Sequence, residues 1–137
     1  MNKVHKNITN REAREFVKAR APFITGNKTL FARWETDDTY VVYSYGQHWP
    51  LFVWERTTER WYENEDRYGV TTTRHRSYAH PHSTPAPIAV STAFIRKLAL
   101  MGYPAIAQAR VLYGAFVPDS IYISATVVIS ADELLTN

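Results

Sequence analysis

Seven consecutive residues, Thr71-Thr72-Thr73-Arg74-His75-Arg76-Ser77, bring hydroxyls, two guanidiniums and an imidazole together, and form the most function-like segment of the chain. Read as a strand, Thr72, Arg74 and Arg76 share one face, while Thr73, His75 and Ser77 share the other. The first set suits a phosphate, because arginine offers paired N–H groups to two oxygens and a threonine hydroxyl adds a further bond. The second set can donate and accept protons. Upstream stand Tyr45, His48 and Trp49. His48 and His75 could act as acid and base in a metal-independent nuclease or phosphodiesterase, with Arg74 or Arg76 on the developing charge and Tyr45 beside them. The same residues could instead form a binding surface without chemistry: Tyr45, His48, Trp49, Thr72, Arg74, His75 and Arg76. Threonine and arginine are also ordinary residues of an exposed strand.

Several chemistries are excluded or disfavoured. The chain has no cysteine, so it has no disulfide, thiolate zinc site, cysteine nucleophile or cysteine-held iron–sulfur cluster. His80-Pro81-His82 supplies two imidazoles, but residues 67–97 contain no acid to complete a metal site. There is no G-x-S-x-G nucleophile elbow, no G-x-G-x-x-G and no phosphate-binding loop. No metal and no cofactor are expected. Catalysis also needs a tuned group held by an orienting neighbour. The balance therefore leans toward binding rather than catalysis.

Charge is segregated along the 137 residues behind a net charge of +3. Residues 1–34 carry eight Lys/Arg against Glu12 and Glu15, and residues 35–66 carry eight acids against Arg56 and Arg60. Residues 67–97 hold Arg67, Arg74, Arg76, Arg96 and Lys97 with no acid. Two arrangements follow. Either the acidic hairpins neutralise the basic segments internally, or the basic blocks combine into a patch that attracts nucleic acid or an acidic protein.

The positioning elements predict one α+β domain over residues 1–137. Thr9-Asn10-Arg11-Glu12 is a capping box opening a helix over about residues 10–20, with Phe16 and Val17 toward the core. Alternating and β-branched runs then predict an antiparallel meander over 28–78, with strands at 28–35, 39–45, 51–55 and 61–63 and a fifth over 68–73. Twelve of the nineteen aromatics lie between Phe31 and Tyr78, so rings fill the core or are left for stacking on a partner. Residues 79–90 are a Pro/His-rich connection. Ser91-Thr92 caps a helix to Met101 with Gly102 just past its end, and Pro104 opens another over 105–112. Residues 121–129 alternate as a strand returning to the sheet, and 130–133 open a short terminal helix. The N-terminus lacks the apolar run of a secretory signal, and no stretch is long and apolar enough for a membrane helix, which predicts a cytoplasmic protein.

Two segments carry a resemblance: Tyr40-Val41-Val42-Tyr43-Ser44-Tyr45-Gly46-Gln47-His48-Trp49-Pro50, and Trp61-Tyr62-x-Asn64-x-Asp66-Arg67-Tyr68 followed by Thr71-Thr72-Thr73-Arg74-His75-x-Ser77. Over about residues 29–78 the chain resembles small uncharacterised proteins encoded by phages, plasmids and other mobile elements. The resemblance implies a mobile-element origin and a β-rich module, and it carries no activity. A phage-type accessory protein would work in the host cytoplasm. It would bind a host protein, such as a defence-system component, or a nucleic acid. A virion or assembly component, self-associating into a homo-oligomer, is the further alternative.

Overall fold

The strand Thr39–Ser44 is buried at every position, with hydrophobic side chains alternating to both faces. A strand of this kind demands a covering layer on each side of its sheet. The computed structural model describes residues 3–45, 49–66 and 69–113. The described elements are β1 (His5–Ile8), a short 3-10 turn (Asn10–Glu12), α1 (Ala13–Lys18), β2 (Phe23–Thr25), β3 (Leu30–Thr36) and β4 (Thr39–Ser44). They continue with β5 (Pro50–Glu55), β6 (Arg60–Asn64), α2 (Val70–Ala79), β7 (Ile88–Val90), α3 (Thr92–Met101) and α4 (Tyr103–Tyr113). The fold is α+β, as predicted. The seven described strands form one sheet in chain order, antiparallel from β2 to β6, with β1 and β7 added in parallel on either side.

Each face has its own core. On one side Ala13 and Val17 of α1 and Ala79 of α2 pack on Phe23, Ala32, Tyr40, Val42, Leu51, Phe52 and Trp61. On the other, Phe94, Ile95 and Leu98 of α3 and Ala105, Ile106 and Ala109 of α4 cover Val41, Tyr43, Val53 and Tyr62. A bulge in β5 pairs Val42 with Phe52 but Tyr43 with Pro50, which leaves Leu51 as the extra residue and puts it in the same core as Phe52. The meander's rings are therefore mostly interior. Tyr40, Tyr43, Tyr62 and Phe52 are fully buried.

Local chemistry sets the element ends. The Thr9–Glu12 capping box forms with both of its bonds present. The buried Glu55 carboxylate accepts from the Thr57 and Thr58 backbone N–H groups and the Thr58 hydroxyl, closing the β5–β6 turn. Ser91 caps α3 through the Phe94 N–H. The helices predicted over 93–101 and 105–112 are present as α3 and α4.

One prediction fails in kind. The strand expected over 68–73 is the helix α2, which begins at Val70 and carries Thr71–Ser77. Three consecutive threonines mimic a strand, because β-branching favours the extended backbone. The helix is held by tertiary contacts that threonine propensity does not report. Arg14 of α1 donates to the Ser77 and His80 carbonyls, placing a cation on the C-terminal end of α2. Strands β1, β2 and β7, of three or four residues each, were not predicted. The last lies inside the supposed 79–90 connection. The predicted strand 121–129 and terminal helix 130–133 lie outside the described residues.

The last turn of α3 separates burial from position. Leu98 is fully buried, whereas Leu100 is 67% exposed. Leu98→Ala is expected to lower unfolding free energy by about 2–5 kcal/mol, and Leu100→Ala by less than about 0.5 kcal/mol, read as urea midpoints.

Candidate functional site

The hydroxyl of Ser44, the last residue of β4, meets the His75 Nδ1 of α2 at 2.7 Å, with the Thr72 hydroxyl 3.4 Å away. The other ring nitrogen, Nε2, lies 3.5 Å from the Thr29 hydroxyl, which donates to the Asn27 side-chain carbonyl at 2.9 Å. Thr25 donates to the same Asn27 oxygen. These bonds form one chain when Ser44 donates to Nδ1 and Nε2–H faces Thr29, the neutral tautomer that satisfies every group in the line. Ser44, Thr72 and His75 are all buried. Burial pushes the His75 imidazole below the ordinary histidine value, which agrees with a neutral ring.

Tyr45 lies on this cluster. Its ring centre is 5.5 Å from that of His75, and its N–H donates to the Thr29 carbonyl at 2.7 Å. At φ 67° its backbone is left-handed, a conformation a bulky side chain rarely adopts. Tyr45 is 58% exposed, whereas the other rings of the meander, from Phe31 to Trp61, are buried or half-buried among the described residues. Lys28, which precedes Thr29 in the chain, and Arg74, which precedes His75, are both exposed.

The helical form of α2 redistributes the predicted site. Thr72, His75, Arg76 and Ala79 fall on one buried face at helical spacing, while Thr71, Thr73, Arg74 and Ser77 point outward. Arg74 and Arg76 therefore do not share a face, as the strand reading required. Arg76 is committed inward, with Nη1 2.7 Å from a Glu63 carboxylate oxygen and Nη2 donating to the Asp66 carbonyl. Trp49 packs against the core on the α1–α2 side. Of the predicted site residues, Tyr45, Thr72 and His75 come together, and Arg74 is exposed on the outward side of α2. His48, and with it the proposed acid–base pair, lies outside the described residues.

His80 stands 3.6 Å from Glu63, an acid supplied by β6 rather than by the basic block. Burial, outweighing the neighbouring carboxylate, depresses the His80 imidazole too. Among the described residues no group of three or more His, Asp or Glu side chains could hold a metal ion. No helix among them is long and apolar enough to cross a membrane. Sequence reasoning missed Ser44, Thr29, Asn27 and Lys28. The available signal was Ser44 itself, a hydroxyl at the end of an otherwise apolar and aromatic strand.

Two expectations follow. Ser44→Ala leaves a buried imidazole nitrogen without its donor and should destabilise the fold by about 1–3 kcal/mol in urea unfolding. The unfolded chain takes up a proton at His75 as pH falls through about 6.5, whereas the folded chain resists it until lower pH, so stability is full above that value and declines below it. The urea midpoint should fall between pH of about 7.5 and about 5.5, and fall less in His75→Gln; an unchanged fall would place the titration elsewhere, with His80 next in line.

No family model, curated protein or solved structure matches this chain, so the role of the cluster rests on its own geometry.

Proposed function

We propose that this chain is a binding protein whose contact surface is centred on Tyr45 and includes Lys28 and Arg74. The observation that carries the reading is the exposed Tyr45 ring, held in a left-handed backbone over the buried Ser44–His75–Thr29 line. A preorganised aromatic loses little freedom on binding, and aromatic side chains dominate the energy of most interfaces. The exposed Lys28 and Arg74, chain neighbours of the cluster residues Thr29 and His75, favour an acidic partner surface or a nucleic-acid backbone. The resemblance to mobile-element proteins supports a phage-type accessory role in which that partner belongs to the host, a defence component being one case.

In this reading His75 supports the anchor and does not touch the ligand. Both its nitrogens face hydroxyls, and it is 2% exposed, which speaks against the nuclease alternative that needs the ring to meet a phosphate.

Capture from host lysate with and without nuclease treatment tests the partner class: loss of capture on treatment identifies nucleic acid, and retention identifies protein. With the partner in hand, Tyr45→Ala should weaken binding by about 2 kcal/mol or more. Lys28→Ala and Arg74→Ala should each cost less and act mainly on the association rate and its salt dependence. Wild-type affinity in all three folded variants would remove this surface from the interaction.

A further inference from the structure

At the opposite end of β4 from Tyr45, a second constellation joins two arginines to two tryptophans. The Arg20 guanidinium lies 4.3 Å from the Trp54 ring centre, and that of Arg56 lies 4.8 Å from Trp34 and 5.6 Å from Trp54. The two indoles meet edge to face at 6.2 Å. Arg20, Trp34 and Arg56 line a cavity of about 370 Å³ with Ala19, Thr36 and Asp37, the lower end of the range typical of small-ligand sites.

Cation–π stacking accounts for the contact between guanidinium and indole, but three features go beyond it. Arg20 is the residue after the last turn of α1, where Arg20 N–H bonds the Val17 carbonyl and Ala21 N–H the Phe16 carbonyl. This closure calls for a left-handed residue, usually glycine, and Arg20 adopts it at φ 52°. A long cationic side chain thus stands where glycine is favoured. Next, Arg20 forms no salt bridge among the described residues, while Arg56 donates its Nε to the Asp37 carbonyl at 3.0 Å and has one looser ion partner, Asp38 at 3.7 Å. Two like charges are therefore gathered over one indole, and Arg20 has no acid in ion-pair contact among the described residues. Finally, Arg56 spends its Nε on the Asp37 carbonyl, but its Nη groups and the Arg20 guanidinium make no hydrogen bond among the described residues, and such N–H groups match the oxygens of a phosphate.

We propose that this cavity is a binding site for a phosphomonoester carried on a hydroxyl-bearing group, with a sugar phosphate as the simplest form. Arg20 and Arg56 hold the phosphate oxygens. Asp37, the acid in the wall, is an acceptor, and it repels a bare phosphate while accepting hydrogen bonds from sugar hydroxyls. The pairing of two donor forks with one acceptor carboxylate selects a ligand that is anionic at one end and hydroxylated at the other. The site shares no residue with the Tyr45 surface and stands or falls independently of it.

The test is a titration of ribose 5-phosphate, inorganic phosphate and ribose into isotope-labelled protein, followed at the indole N–H signals of Trp34 and Trp54. Ribose 5-phosphate should give saturable shifts at both indoles, inorganic phosphate weaker ones, and ribose none. Arg20→Gly removes the guanidinium and supplies the residue the helix end prefers, so the fold is retained while affinity drops by roughly tenfold or more. Arg56→Gln should show a similar loss. Asp37→Asn should tighten inorganic phosphate and narrow its gap from ribose 5-phosphate. Absence of saturable shifts with either phosphate, or affinity unchanged in both arginine variants, would overturn the proposal. A preference for inorganic phosphate in the wild type would overturn the role of Asp37 and with it the sugar-phosphate assignment.

Discussion

A central strand with no solvent-facing side organises this molecule. Because β4 is apolar toward both faces, neither helical layer is optional, and the strand's two polar ends become the points at which those layers are registered. At one end the buried Thr39 hydroxyl donates to the Ala99 carbonyl and ties down α3. At the other the Ser44 hydroxyl meets His75 and ties down α2. A buried hydroxyl without a partner would carry a desolvation penalty of about 1–3 kcal/mol, so these two bonds discriminate among ways of laying helices on an otherwise featureless apolar surface. The polar cluster under Tyr45 is thus part of the fold's own specification, and a protruding ring is built on its most constrained point.

The charge pattern resolves along the same lines. Part of the basic third block is spent internally, as Arg76 turns inward to Glu63 of the acidic block. Arg33 and Glu35 pair beside Tyr43, where hydrogen bonds from Arg33 and Tyr43 overcome the effect of burial and hold the Glu35 carboxyl below its ordinary range. What remains outward, including Lys28 and Arg74, is a thinner set of cations than the sequence blocks suggest. This favours local recognition over strong long-range attraction, consistent with a net charge of only +3.

Elements whose pattern is written in their own residues were legible. The strands from Leu30 to Asn64 alternate or run β-branched, and α3 has a cap, an apolar face and Gly102 at its end. Elements made by their neighbours were not. β1 reads His-Lys-Asn-Ile, mostly exposed and polar, and is a strand because β2 offers it an edge. α2 is a helix whose hydrophobic periodicity is negligible, fixed by Arg14, Glu63 and Ser44 from three other elements. The same distinction divides the site. Tyr45 and His75 were singled out by chemical type. Ser44 and Thr29 were passed over because a strand hydroxyl declares its role only when its cross-chain partner is known, and Arg76 was misassigned because its outward or inward direction depends on helix against strand.

The sheet order repeats the chain order, β1 through β7, without a single strand inserted out of turn. Every strand therefore pairs with a segment close to it in sequence, and closing each pair requires only a short loop or one helical crossover. Such local wiring lowers the entropy barrier to assembly and favours rapid folding, since little chain must be immobilised before each contact forms. It also permits construction as the polypeptide leaves the ribosome, each strand docking on the one before it. Among the described elements, the second helical layer is the last to arrive. Until α3 and α4 emerge, Val41, Tyr43, Val53 and Tyr62 lack their cover, and this interval is when the nascent chain is most exposed to aggregation or chaperone capture.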